Sequence, residues 1–292
     1  MVSPRSSESA TGSTRCSTCQ TSQTSQTSCE QCEHSFEASA EAVLHQGLET
    51  SEPEGSIWIA GFLLRADQLP PGLEDRDLDA LVEQVYSECC AIRPTSKQQA
   101  LRLILGMGYS GPAAVAKWRE IVEWRTAHGV DSIRQEQVEA IAAAGPVSFP
   151  YREEVHEKLI CTSPCAFLST TGCPISIWHA GTLNVENASL LTNEKVAQWS
   201  RAVYEYKDVW ITEQSEKSKR LVGYIQVYDM SGMNWRQYSS REIAEKLKAA
   251  LQTGGFYVEA VSHMFVINSS TLFAAAWRVA GHTQRMHRWM SI

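Results

Sequence analysis

The sequence predicts a mixed α/β fold: an N-terminal helical lobe followed by a mixed, mostly parallel sheet covered by helices. Three observations point there. Leu221 to Tyr228 is a short apolar run that enters Asp229-Met230-Ser231-Gly232, the pattern of a buried strand leaving a sheet through a turn. Met264 to Asn268 is a second apolar run of the same kind. Between the two, Ile243, Leu247 and Leu251 recur at helical spacing over Ser239 to Leu251, so the segment reads strand–helix–strand.

Residues 1–55 are rich in Ser, Thr, Gln and Glu and poor in aromatics, with the repeat Thr21 to Ser28. Such a segment cannot bury enough apolar surface to offset chain entropy, so a disordered arm is expected. Residues 56–145 are expected to form the helical lobe. An apolar stretch begins at Ile57, and Leu78, Leu81, Val82 and Val85 give Asp77 to Cys90 a helical period. Gln98 to Leu105 reads as helix. Pro112 opens another, where a missing N–H is harmless, with Val115, Trp118, Ile121, Val122 and Trp124 on its apolar side and Gly129 as its stop. After Pro146 strands and helices alternate, so residues 146–292 carry the sheet.

Acids outnumber bases 33 to 26 in 292 residues. Eight acids and two bases fall at or before Gly55, so the remainder is nearly neutral and offers no basic field for nucleic acid. The longest apolar run, Ile57 to Leu64, falls far short of the roughly 20 residues a membrane span needs. Met1 to Ser9 lacks the apolar stretch of a secretory signal, so a cytoplasmic location is expected.

Cys16, Cys19, Cys29 and Cys32 form two C-x-x-C pairs, with His34 close by. Four thiolates can enclose a structural zinc tetrahedrally. The alternative is a flexible arm with chance pairs or redox-labile thiols. Gly106-Met107-Gly108-Tyr109-Ser110-Gly111 matches the dinucleotide fingerprint, but a helical segment precedes it where a strand is required, so no nucleotide is expected there. Cys161, Cys165 and Cys173 are read as free thiols around the first strand, with His179 in the second. No nucleophile elbow, zinc-protease motif or paired-carboxylate pattern is present, so the chain is not expected to be an enzyme and needs no catalytic cofactor.

Taken in order, several of these segments resemble CRAL-TRIO lipid-binding domains. Asp229-Met230-Ser231-Gly232 resembles the D-L-x-G motif of that family, Tyr257-Val258-Glu259 stands where it has Y-P-E, and Phe265 to Asn268 resembles its Y-I-I-N-A-P strand. Trp118 to Asp131 resembles the end of its helical lobe, and Gly172-Cys173-Pro174-Ile175 its D-G-R-P-V turn. The resemblance covers about Ser96 to the end. It implies a lipid-type pocket between the sheet and a gate helix containing Phe273 and Trp277. It also implies polar lipid contacts on the strand face of Tyr224, Gln226 and Tyr228, and an acid at Glu259. Tyr224 and Gln226 are larger than the family's usual residues, so they shorten the pocket or simply fill the core.

The cations by which the family holds phosphoinositides fall here on Met107, Gly108, Ala260 and Ser291, so the resemblance implies a neutral or apolar lipid. Arg278, Arg285 and Arg288 make the gate segment basic, which suits transient docking on an anionic membrane or a solvated helix end whose cations complement its dipole. The family continues beyond the equivalent of Ile292 with another strand, so an open sheet edge and a truncated pocket are expected. The expected function is non-enzymatic binding and membrane presentation or transfer of a hydrophobic lipid. The alternative is a pocket-less module acting as a protein-interaction or membrane-targeting scaffold. The sequence does not fix the oligomeric state.

Overall fold

The computed structural model describes residues 56–64, 69, 77–143, 149–170, 172–269 and 290–291. The apolar stretch at Ile57 is a hairpin of β1 (Ile57–Ile59) and β2 (Phe62–Leu64). Ala60 and Gly61 take its two-residue turn with φ of 51° and 82°, the backbone such tight hairpins require. Leu63 N donates to Lys219 O at 2.8 Å and its carbonyl accepts from Leu221 N at 3.2 Å, tying the hairpin to the chain that enters the main sheet.

Four helices follow, and side chains cap three of them. Asp77 accepts from Ala80 N at the start of α1 (Leu78–Ile92). Ser96 caps α2 (Lys97–Gly106), and Ser110 caps α3 (Gly111–Ala127), which carries Pro112 in its first turn. Each cap satisfies an orphan N–H of a helix start. Gly129, at φ 60°, separates α3 from α4 (Val130–Ala142). Leu101, Leu103, Ile104, Val82, Val85, Trp118 and Ile121 are buried together with Phe62 and Leu64 of the hairpin. The same cluster takes in Leu221, with Phe256 and Val258 packed against it.

The main sheet has the order β3-β4-β5-β6-β7, with β3 (Cys161–Leu168), β4 (Pro174–His179), β5 (Tyr224–Asp229), β6 (Val261–Ile267) and β7 (Met290–Ser291). Only β3 and β4 run antiparallel; the other pairs are parallel, as the strand–helix–strand reading requires. A short helix, α5 (Arg152–Lys158), leads into β3. The crossover from β4 to β5 is α6 (Asn193–Ser218), 26 residues long. The crossover from β5 to β6 is α7 (Trp235–Ser239) and α8 (Arg241–Gly254). One correction concerns the sheet edge: Met290 and Ser291 pair in parallel with Met264 and Phe265, so β6 has a neighbour on its outer side at these positions. No helix among the described residues is long and apolar enough to cross a membrane.

Helices α5, α6 and α8 pack together on one face of the sheet. Trp178 of β4 joins Trp199 and Val203 of α6, Val155 of α5 and Ile243 and Ala250 of α8 in a single buried cluster. Ser200 Oγ donates to Ala250 O at 2.7 Å and locks α6 to α8. The lobe is held to α6 by charge as well as by apolar contact. Glu205 has a side chain that is 0% exposed, and its carboxylate accepts from Arg125 at 2.7 and 3.3 Å, Arg134 at 3.1 Å and the Tyr257 hydroxyl at 2.6 Å. Four donor contacts on one buried carboxylate satisfy the condition under which a buried ion group is tolerated.

Candidate functional site

Strand alternation and register divide the sheet residues into two faces. Ser176 and Trp178 of β4 pair with Gln226 and Tyr228 of β5, and these pair in turn with Met264 and Val266 of β6. This face meets the helices. Tyr224 is 2% exposed and Gln226 4% exposed. Lys207 of α6 lies against both, its Nζ 4.5 Å from the Tyr224 ring and 3.3 Å from Gln226 Oε1. Tyr228 packs edge-on to Trp178 at 5.8 Å. The expectation that Tyr224, Gln226 and Tyr228 face a ligand pocket is therefore corrected: their face is closed by α6 and α8. The bulk of Tyr224 and Gln226 fills this helix-packed core.

The opposite face carries Ile175, Ile177 and His179 of β4, Ile225, Val227 and Asp229 of β5, and His263, Phe265 and Ile267 of β6, aligned row by row. Phe167 of β3 pairs with Ile175 and extends the same surface. Ile175, Ile177, Ile225, Val227 and Phe265 are half-buried, and Ile267 and Phe167 are exposed. None of these residues belongs to any of the apolar clusters formed by the described residues. His263 stacks on Phe265, with ring centroids 6.1 Å apart. At the C-terminal end of β4 and β5 the surface becomes polar. Asp229 Oδ1 accepts from Ser231 N at 3.0 Å and from Asn268 Nδ2 at 2.9 Å, and His179 Nδ1 stands 3.7 Å from Asp229 Oδ2. The Asn268 bond, followed by those of Ser231, lowers the Asp229 pKa to about 2.

Glu259 sits apart from this surface, at φ 51° in the turn before β6. Its carbonyl accepts from Arg102 at 2.5 Å, and a second Arg102 nitrogen donates to Val222 O. Arg102 is 2% exposed and burial lowers its pKa to about 10. It staples α2 to the loops that begin β5 and β6. Nothing in the local sequence distinguished this arginine, which lies inside an otherwise apolar helix. The glycine-rich loop is a helix–helix turn, and its first glycine has a packing role. A Cβ on Gly106 would come within 2.2 Å of Val258 Cγ1.

Among the described residues Cys89, Cys90, Cys161, Cys165 and Cys173 are in no disulfide. Among the described residues no group of three or more His, Cys, Asp or Glu could hold a metal. The zinc candidates Cys16, Cys19, Cys29 and Cys32, the gate aromatics Phe273 and Trp277, and the basic residues Arg278, Arg285 and Arg288 all lie outside the described residues. Two concavities lined by described residues lie away from the apolar sheet face. One, of about 900 Å³, runs between α3, α6 and α8; the other, of about 350 Å³, opens beside Arg93 and Tyr257. Charged residues on their walls neutralise one another, through Lys117–Glu120 and Arg201–Glu194 in the first and Arg93–Asp131 and Arg134–Asp208 in the second. The apolar sheet face is the better candidate, because its surface remains outside the apolar clusters.

No protein-family description matches the chain, and no curated protein matches its sequence. Among solved structures, the crystal structure of Sfh5 matches with a TM-score of 0.50 and 14% identity, over 74% of this chain and 80% of that chain. The likeness is one of fold: a mixed α/β chain built on a mixed, mostly parallel five-stranded sheet.

Proposed function

We propose that the chain binds a hydrophobic lipid on the sheet face formed by Ile175, Ile177, Ile225, Val227 and Phe265, and presents or transfers it at membranes without chemical change. The observation that carries this reading is the contrast between the two faces. One is closed by α6 and α8. The other keeps a continuous apolar surface that joins no apolar cluster of the described residues. Covering such a surface with an acyl chain recovers about 25 cal/mol per Å² removed from water. The shared fold with Sfh5 supports the same reading. The proposal includes the division into an arm through residue 55, a helical lobe through residue 145 and the sheet domain beyond. It also includes transient contact with a membrane surface during loading and release.

The test is extraction of the purified full-length chain with organic solvent, followed by mass spectrometry, beside a liposome-to-liposome transfer assay. Co-purifying lipid and protein-dependent transfer are expected, and Val227→Glu should abolish both while leaving the folded circular-dichroism spectrum. A chain that extracts no lipid and transfers none across phospholipids, fatty alcohols and sterols would sink the proposal.

A further inference from the structure

The apolar face ends in a polar row. His179 and Asp229 are register partners at the ends of β4 and β5, the strand ends outside which open α/β sheets take their ligands. The two oxygens of Asp229 have different neighbours. Oδ1 is occupied by Ser231 N and Asn268 Nδ2. Oδ2 has His179 Nδ1 3.7 Å away, beyond hydrogen-bond reach. His179 is 38% and Asp229 21% exposed in their side chains, so both remain accessible beside the apolar surface. Among the described residues, no lysine or arginine bridges Asp229; His179 is the basic group beside it.

We propose that His179 and Asp229 receive the polar end of the ligand on the apolar face, and that they select a long-chain alcohol over a lipid ending in a carboxylate. This rests on the face being the lipid site. A hydroxyl is both donor and acceptor, so it can donate to Asp229 Oδ2 while accepting from a His179 N–H. A carboxylate has only acceptors to offer and sets a second negative charge against one held in place by two hydrogen bonds. Asp229 is ionised throughout the neutral range, as any carboxylate with its ordinary pKa or lower is, and its hydrogen bonds hold the charge in place. The selection therefore works by refusing an anion as much as by greeting a hydroxyl.

The test is equilibrium displacement of a fluorescent acyl probe from the full chain by hexadecanol and by hexadecanoate, at about pH 8, where the acid is ionised. The alcohol should displace the probe at a concentration about tenfold lower than the carboxylate does. Asp229→Asn keeps an Oδ1 acceptor for Ser231 and removes the charge; it should narrow that ratio by about threefold or more. His179→Leu should weaken the alcohol without helping the carboxylate. Equal displacement by the two ligands in the unaltered protein overturns the proposal, whether or not the variants fold, and so does a ratio unmoved in both folded variants. Failure of the probe itself to bind is a separate result: it removes the lipid site, and this selection with it.

Discussion

Lys207 Nζ lies 3.3 Å from Gln226 Oε1, buried between α6 and the sheet with no carboxylate bridged to it among the described ion pairs. The Tyr204 and Tyr224 rings, 5.4 and 4.5 Å away, supply cation–π contact in place of a counter-ion. Burial lowers the lysine pKa from 10.5 to about 8. Below about pH 8 both folded and unfolded states carry the charge, and the folded state bears the full cost, roughly 3 kcal/mol for a shift of this size. As pH rises from 8 toward 10.5 the unfolded state binds more protons, so stability rises. Cys165 and Cys89, raised by burial to about 12 and about 11, and Tyr204, Tyr224, Tyr228 and Tyr257, all raised by burial, oppose this as their unfolded counterparts ionise from about pH 8 upward. Because those groups offset the rise, the Lys207 contribution is read as a difference: between about pH 7 and about pH 9 the unaltered protein should gain about 1 kcal/mol relative to Lys207→Met in denaturant melts. Lys207→Met should be the more stable protein at neutral pH, by a margin that shrinks as pH rises. A margin between the two proteins that does not change with pH would contradict this account of Lys207.

Glu205 should prove the most sensitive charged position. Its carboxylate receives Arg125, Arg134 and the Tyr257 hydroxyl at full burial. Glu205→Ala leaves those donors facing a cavity and should cost about 3–5 kcal/mol in urea melts. Arg236→Ala is the control. Arg236 and Glu186 are 3.6 Å apart with side chains 74% and 77% exposed, and the loss should stay within about 0.5 kcal/mol.

The glycine-rich loop separates packing from ligand binding by a double substitution. Gly106→Ala should destabilise by about 1–3 kcal/mol, since the added methyl lands 2.2 Å from Val258 Cγ1. Val258→Ala removes that methyl, so the double variant should recover most of the loss, a coupling a thermodynamic cycle measures directly. Independent, additive losses would mean that Gly106 is not limited by Val258.

Much of the fold was legible because its elements announce themselves locally. The run into Asp229-Met230-Ser231-Gly232, the helical period of Leu78, Val82 and Val85, the opening at Pro112 and the stop at Gly129 are short-range signals that the structure keeps. Helix α6 was not singled out, because Ser200, Arg201, Glu205, Lys207 and Ser215 are buried in it and break the apolar period that reveals a helix. The candidate site was half legible. Alternation separates Tyr224 and Gln226 from Ile225 and Val227, but the sequence alone does not say which set meets α6. The structure shows it through Lys207, nineteen residues before Gln226, whose Nζ reaches Gln226 Oε1. The approach of His179 to Asp229 depends on β4–β5 register, which no motif encodes.

The central claim is that ligand lies on the Val227 face and not on the Gln226 face. Photo-crosslinking of the full chain with a diazirine-bearing acyl lipid, mapped by peptide mass spectrometry, tests it most directly. The account predicts label on Ile177, Ile225, Val227 and Phe265, with none on Tyr224 or Gln226. Label concentrated on Tyr224, Gln226 or Lys207, or absent from the sheet altogether, would contradict it.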